Sequence, residues 1–164
     1  MSNLDIIKSK IYSAENFVRQ LNIWRFQSKK MVFTNGCFDI LHLGHVDYLS
    51  KAADLGNILI VGINTDSSVK RLGKGKNRPI QDENSRAVIL ASLHFIDAVI
   101  LFEEDTPYEL IKLIQPHVLV KGGDWKKEDI VGYDIVMKGE GLVKTVDYLP
   151  GFSTTLIEEK IIKG

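Results

Sequence analysis

Phe33-Thr34-Asn35-Gly36-Cys37-Phe38-Asp39-Ile40-Leu41-His42-Leu43-Gly44-His45 decides how this chain is read, because it joins an apolar strand to a helix through a glycine-containing turn and closes on H-x-G-H. Lys30 to Phe33 reads as the end of a buried strand. Val46, Leu49 and Ala53 recur at helical spacing behind the second histidine, so a helix begins near Leu43. Its first amides have no partner within the helix and its dipole is positive there, so a polyphosphate can rest against that N-terminus. Gly44 lets an anion approach the backbone, and His42 and His45 can both point from the first turn at one phosphate. H-x-G-H alone could be two ordinary histidines at a helix start. The strand before it and the helix behind it make the tetrapeptide a phosphate site.

Outward from this turn the pattern alternates. Helix Leu43–Asp54, closed by Gly56, leads to a strand at Ile58–Ile63, which completes a βαβ unit. Asp82 can cap a helix running to about Leu93, and Val99–Phe102 is the next strand. Thr106-Pro107-Tyr108-Glu109 reads as a capping box with proline at the first helical position, and Pro116 stops that helix. His117–Val120 and Leu142–Asp147 are two more strands with a short glycine-bounded helix between them. A last helix starts at Ser153-Thr154-Thr155 and runs to Ile162. The expectation is an α/β protein: a Rossmann-like, doubly wound, parallel five-stranded sheet with helices on both faces and ligands at the carboxyl ends of the strands. Residues 1–29 form a helical N-terminal segment, with a stripe of Leu4, Ile7 and Ile11, a cap at Ser13 and a second stripe of Phe17, Leu21 and Trp24. It packs on the domain of residues 30–164 or on a second subunit, and a homodimer or higher homo-oligomer is expected.

Composition narrows the function classes. The 164 residues suit one well-buried core, and 21 basic against 21 acidic residues cancel. No basic block or aromatic-interleaved stripe offers a nucleic-acid surface. Asp5, Lys8 and Lys10 interrupt any apolar core of a signal peptide and no run approaches membrane-spanning length, so no membrane partner and a cytoplasmic location are expected. The single cysteine, Cys37, suits a reducing compartment and reads as a small packed residue, since no base is placed beside it to make a nucleophile.

Further motifs fall at strand ends. Asn64-Thr65-Asp66 leads into the basic loop from Val69 to Pro79. Its Lys, Arg and Gly suit either a solvated loop or a lid that neutralises a leaving pyrophosphate. Lys121-Gly122-Gly123-Asp124-Trp125 lets the chain turn tightly against a flat base or ribose, although most Gly pairs only make turns. Of its polar side chains, Lys121 suits a phosphate and Asp124 a polar contact to nucleotide or sugar. Pro150-Gly151-Phe152-Ser153-Thr154-Thr155 enters a helix with three hydroxyls. Ser153 can be a cap, Thr155 with Glu158 satisfies a capping box, and three hydroxyls with free amides also make a second anion site. Arg86 sits in the first turns of its helix, where an arginine is usually solvated or ion-paired. His94 and His117 serve packing or a strand edge. No metal cage is visible, so Mg2+ is expected only with the nucleotide, held by its phosphates and waters.

The residues from Thr34 to His45 resemble the signature of H-x-G-H nucleotidyltransferases, and the fuller string looks most like the heptose 1-phosphate adenylyltransferases of bacterial surface-polysaccharide synthesis. The resemblance extends through V-K-G-G-D at 120–124 and S-T-T at 153–155, and Ser13 to Lys30 looks like the lead-in to the adenylyltransferase domain of bifunctional heptose enzymes. It implies a stand-alone enzyme with ATP and a sugar 1-phosphate as partners, making ADP-heptose and pyrophosphate. It implies catalytic roles for His42, His45, Lys70 and Arg86, the last resembling the family arginine that helps hold the phosphates. Nucleotide contacts would come from Gly36, Cys37, Phe38, Gly44, Lys121, Gly122, Gly123, Asp124, Gly151, Phe152, Ser153, Thr154 and Thr155. Asp39, Asp66, Lys74 and Lys76 would serve the substrate. Where the cytidylyltransferase branch has an arginine just before S-T-T, this chain has Tyr148-Leu149-Pro150, which weighs against the nearest alternative, CTP with glycerol 3-phosphate or another phospho-alcohol. A non-catalytic nucleotide-binding module is the alternative of another class. A class I aminoacyl-tRNA synthetase is set aside because there is no K-M-S-K-S run.

Overall fold

The computed structural model describes residues 1–73 and 77–163. Its elements are α1 (Asn3–Lys8), β1 (Ile11–Tyr12), α2 (Ala14–Phe26), β2 (Met31–Gly36), α3 (Leu43–Ala53), β3 (Ile58–Asn64), α4 (Asp66–Arg71), α5 (Glu83–Ala91), β4 (Ala98–Phe102), α6 (Tyr108–Ile114), β5 (Val118–Gly122), α7 (Tyr133–Lys138), β6 (Leu142–Val146) and α8 (Thr154–Lys163), with a 3-10 turn at Lys127–Asp129. Every strand pairing is parallel, in the order β1-β4-β3-β2-β5-β6.

Successive side chains of the central strands enter opposite cores, which explains their unbroken apolar runs. Met31, Phe33, Ile58 and Ile60 join Phe17, Leu21, Trp24, Ile111 and Ile114 of α2 and α6 on one face. Val32, Leu59, Val61 and Ile63 join Leu49, Ala52, Ala87 and Leu90 of α3 and α5 on the other. The chain builds outward from β2 through β3 to β4, then returns to place β5 on the other side of β2. The strand order therefore reverses between β2 and β5, and the crevice above their carboxyl ends is the natural ligand position in such a sheet.

The five expected strands all form, and a sixth joins them. Ile11 and Tyr12 pair with Val99 and Ile100 at the sheet edge, so residues 1–29 are not helical throughout. The stripe of Leu4, Ile7 and Ile11 does not exist as one helix face, because α1 ends at Lys8 and buries no residue. Ser13 caps α2 and Asp82 caps α5 through side-chain oxygens, as the sequence indicates. The capping box at Thr106 does not form: Pro107 occupies the cap position of α6 without a side-chain cap bond.

Candidate active site at the carboxyl edge of the sheet

The turn after β2 is shaped by aromatic packing. Phe38 takes a left-handed backbone conformation (φ 48°), uncommon for a residue with a side chain. This folds its ring back over Gly36, where a Cβ would come within 2.9 Å of the ring. The same ring lies edge-on to His45, with centroids 5.3 Å apart. Thr34 and Tyr48 share a short hydroxyl–hydroxyl bond, and the Tyr48 hydroxyl also donates to Val120 O at 3.2 Å. These contacts tie β2, α3 and β5 together beneath the crevice.

His42 stands at the N-cap position of α3 and offers no side-chain cap. Its imidazole stacks on that of His45, with centroids 3.8 Å apart and an interplanar angle of 25°. His42 Nδ1 and His45 Nδ1 are both buried without a hydrogen-bond partner among the described residues. Such an orphan costs about 1–3 kcal/mol, so an unpaired set is tolerated where something else supplies partners. Burial, and then the neighbouring His42, push His45 down to about 4 against a backbone hydrogen bond to Ile40, and burial also lowers His42. Both rings are neutral near pH 7. Space at Gly44 is taken by the His42 ring and Phe152, each 3.1 Å from where a Cβ would sit.

A cleft of 540 Å³ opens above this turn. Of the residues the sequence nominates, Gly36, Cys37, Phe38, Asp39, His45, Lys121, Gly122, Thr154 and Thr155 line it. A second lobe of 280 Å³ adjoins it and shares Asn35, Gly36, Cys37, Lys121 and Trp125 as a common wall. Lys121 Nζ donates to Asn35 Oδ1 at 3.4 Å across that wall. Cys37 is buried with its thiol 3.6 Å from Asn64 Oδ1, a packed residue.

Several nominated residues do something else. Arg86 is 1% exposed and spends its guanidinium on the protein, donating to Cys37 O (2.7 Å), Asn64 O (2.8 Å), Asp66 Oδ1 (2.8 Å) and Gln81 O (3.1 Å). Four of its five N–H groups are thereby occupied, so it clamps the ends of β2 and β3, and it lines neither lobe. Asp66 is that clamp's carboxylate, with its own amide on Glu83, and is not positioned for sugar. Asp39 accepts from the amides of Ile80 and Gln81 and from Arg78, so it orders the turn. Burial pushes its carboxyl up, but those two amides and the Arg78 guanidinium outweigh this and hold it below the usual carboxylate range. Lys70 is exposed on the last turn of α4, away from both lobes, and Asp124 is exposed outside them too. His42, Gly44, Gly123, Gly151 and Phe152 also fall outside the linings. Ser153 Oγ caps α8 by accepting from Leu156 N, and Thr155 makes no capping box because Glu158 turns to Arg78 instead. Lys74 and Lys76 lie outside the described residues.

The structure adds residues that sequence reasoning missed. Arg78 lines the cleft and bridges Asp39 (2.9 Å) and Glu158 (2.7 Å), fastening α8 to the phosphate turn. Its signal was its place at the end of the basic loop. Tyr148 lays its ring over Gly122 and Gly123, whose Cβ atoms would fall within 2.6 and 2.8 Å of it. The two glycines thus accommodate an aromatic side chain of the protein. Trp125 donates to Gly122 O at 3.1 Å and lines both lobes. Asn35 and Tyr48 complete the wall. Among the described residues no three His, Cys, Asp or Glu side chains converge on a metal position, and no helix is long and apolar enough to cross a membrane.

Comparison with known proteins agrees with this geometry. A family model described as cytidylyltransferase-like matches residues 33–160. Proteins named Bifunctional protein HldE are similar: that of Nitratiruptor sp. is 57% identical over 135 residues, covering 82% of this chain and 28% of the relative. That of Campylobacter jejuni subsp. doylei is 51% identical over 154 residues, covering 94% and 32%. The chain spans about a quarter to a third of the length of the curated relatives it matches. Among solved structures, a lipopolysaccharide core biosynthesis protein from Thermoplasma volcanium superposes with TM-score 0.61 at 33% identity, over 74% of this chain and 97% of that one. A pantoate-beta-alanine ligase from Francisella tularensis shares the fold, with TM-score 0.58 at 16% identity over 94% and 78%.

Proposed function

The chain belongs to the cytidylyltransferase-like family, and from that premise we propose that it transfers AMP from ATP to a heptose 1-phosphate, releasing pyrophosphate and ADP-heptose for surface-glycan synthesis. The carrying observation is the stacked His42–His45 pair at the N-terminus of α3, with two buried ring nitrogens that no group among the described residues satisfies. A helix start with free amides beside neutral imidazoles suits a polyphosphate, and Thr154 and Thr155 line the same cleft. The heptose assignment rests on the resemblance along the chain and on the relatives matched.

The chemistry asks little of an acid or base. An oxygen of the sugar phosphate is already anionic and forms the new bond to the α-phosphorus. The bond from that phosphorus to the bridging oxygen breaks, and pyrophosphate leaves with the electron pair. Catalysis is then alignment plus stabilisation of charge on the phosphate oxygens. His45, Lys121 and Arg78 are the cleft's groups for that work. Arg86 acts through the Cys37 and Asn64 carbonyls as a positioning residue. Mg2+ carried on the phosphates of ATP would supply charge neutralisation there. Asp39 is not its ligand, since both carboxylate oxygens are taken by Arg78, Ile80 and Gln81.

The test is a pyrophosphate-release assay offering ATP with D-glycero-D-manno-heptose 1-phosphate against CTP with glycerol 3-phosphate, with the nucleotide product identified by mass. ADP-heptose is expected in excess by about 100-fold. CDP-glycerol as the main product would refute the heptose reading.

A further inference from the structure

We infer that Glu158 is a positioning residue for the transfer: through Arg78 it aims a guanidinium at the cleft and sets the place of Thr154 and Thr155, without itself touching the nucleotide. This rests on the reading above of the cleft as the nucleotide site. Thr155 and Glu158 have the spacing of a capping box, in which the glutamate would turn back to its own helix start. In the structure it turns outward, and its carboxylate accepts from Arg78 Nη2 at 2.7 Å.

The position of α8 depends on that contact. None of its residues is buried, so packing alone holds it weakly. Among the described residues, Glu158 is the α8 side chain that bonds outside its own helix, whereas Lys163 pairs with Glu159 within it. Glu158 follows Thr154 by four positions and Thr155 by three, so the three share one face of the helix. The grip on Glu158 therefore sets where both threonines stand along the cleft they line.

Arg78 is held from two sides. Asp39, fixed by the amides of Ile80 and Gln81, accepts from its Nη1 at 2.9 Å. These two carboxylates use two of the five N–H groups of Arg78, and the other three have no partner among the described residues. A planar fork gripped at both ends keeps one orientation, and its remaining donors are ready for phosphate oxygens. Removing the Glu158 carboxylate loosens the guanidinium and α8 together.

The test is calorimetric titration with ATP and Mg2+, without acceptor, of wild type, Glu158→Ala, Glu158→Gln, Arg78→Ala and the Arg78→Ala/Glu158→Ala double variant. Alanine is the strongest helix former, so Glu158→Ala does not weaken α8 through propensity, and its circular dichroism should match wild type. Its Kd for ATP should nevertheless rise about 10-fold, the size of a lost hydrogen bond to a charged group. Glu158→Gln keeps an oxygen that accepts from Arg78 and should stay within about threefold of wild type. The double variant should bind within about twofold of Arg78→Ala, because Glu158 acts through Arg78. Unchanged affinity in Glu158→Ala would overturn the inference, as would a loss in Glu158→Gln equal to that of alanine or a full further 10-fold loss in the double variant. Wild type that binds CTP and not ATP would refute the ATP reading instead, and the same variants titrated with CTP still decide the role of Glu158.

Discussion

His45 packs on Phe38 and Arg86 donates to Cys37 O, so both meet the same turn, and the family resemblance implies a phosphate role for each. They end in opposite states. The histidine pair keeps buried ring nitrogens that nothing among the described residues satisfies, whereas Arg86 is almost wholly buried and spends its donors on three carbonyls and Asp66. The difference teaches where to look for function within a polar cluster: a saturated group holds the frame, and an unsatisfied one awaits a ligand.

The largest expected effect comes from breaking the saturated side. Arg86→Met leaves the carbonyls of Cys37 and Asn64 without donors and Asp66 without its cation, at a cost of about 3 kcal/mol or more. For a domain of this size that lowers Tm by roughly 10 °C, read by thermal denaturation, with activity falling because the fold is lost. His45→Ala should behave in the opposite way. Its circular dichroism and Tm stay near wild type while turnover falls about 100-fold, the size of losing one preorganised donor. A folded Arg86→Met protein that lost only turnover would erase the contrast.

The same comparison governs pH. His45 is held at about 4 in the folded protein against 6.5 for the free side chain. The unfolded chain therefore binds the extra proton between those values, so His45's contribution to stability is full above 6.5 and is lost as pH falls toward about 4. Denaturant titrations from pH 7 to 4.5 should show a shallower loss for His45→Gln than for wild type. Equal slopes would mean that the imidazole is not desolvated.

A smaller effect sharpens the picture at α8. Ser153 caps the helix, and Thr154 and Thr155 face the cleft. Ser153→Ala should cost about 1 kcal/mol of stability and leave the Michaelis constant for ATP alone. Thr154→Val with Thr155→Val should raise that constant by about 10-fold with little change in Tm. The reverse assignment of effects would exchange cap and ligand contacts.

What was legible in the sequence was local. The strand–turn–helix of residues 31–53, the caps at Ser13 and Asp82 and the alternation that builds a parallel sheet follow from neighbours within a few positions. Ile11 and Tyr12 were not legible as a strand, because two residues carry no period and pair only when β4 presents its edge. The clamp made by Arg86 was not legible because its acceptors lie 49 and 22 residues away, at Cys37 and Asn64. Arg78 was missed for the same reason, since its partner Glu158 is 80 residues distant. Tyr148 could not be predicted to lie over Gly122 and Gly123, as only the pairing of β5 with β6 brings the loops together. The segments around 34–45, 121–125 and 153–155 do meet at one cleft, while the contacts of each residue within them depended on partners that only the fold supplies.

The contrast between the two sides of the turn is tested most directly by nuclear magnetic resonance of protein with isotope-labelled histidine and arginine side chains, titrated with ATP and Mg2+. The ring-nitrogen signals of His42 and His45 should move strongly as the site fills, and the guanidinium signals of Arg86 should stay where they are in the free protein. Arg86 signals that move with ATP while both histidines remain unchanged would contradict the account.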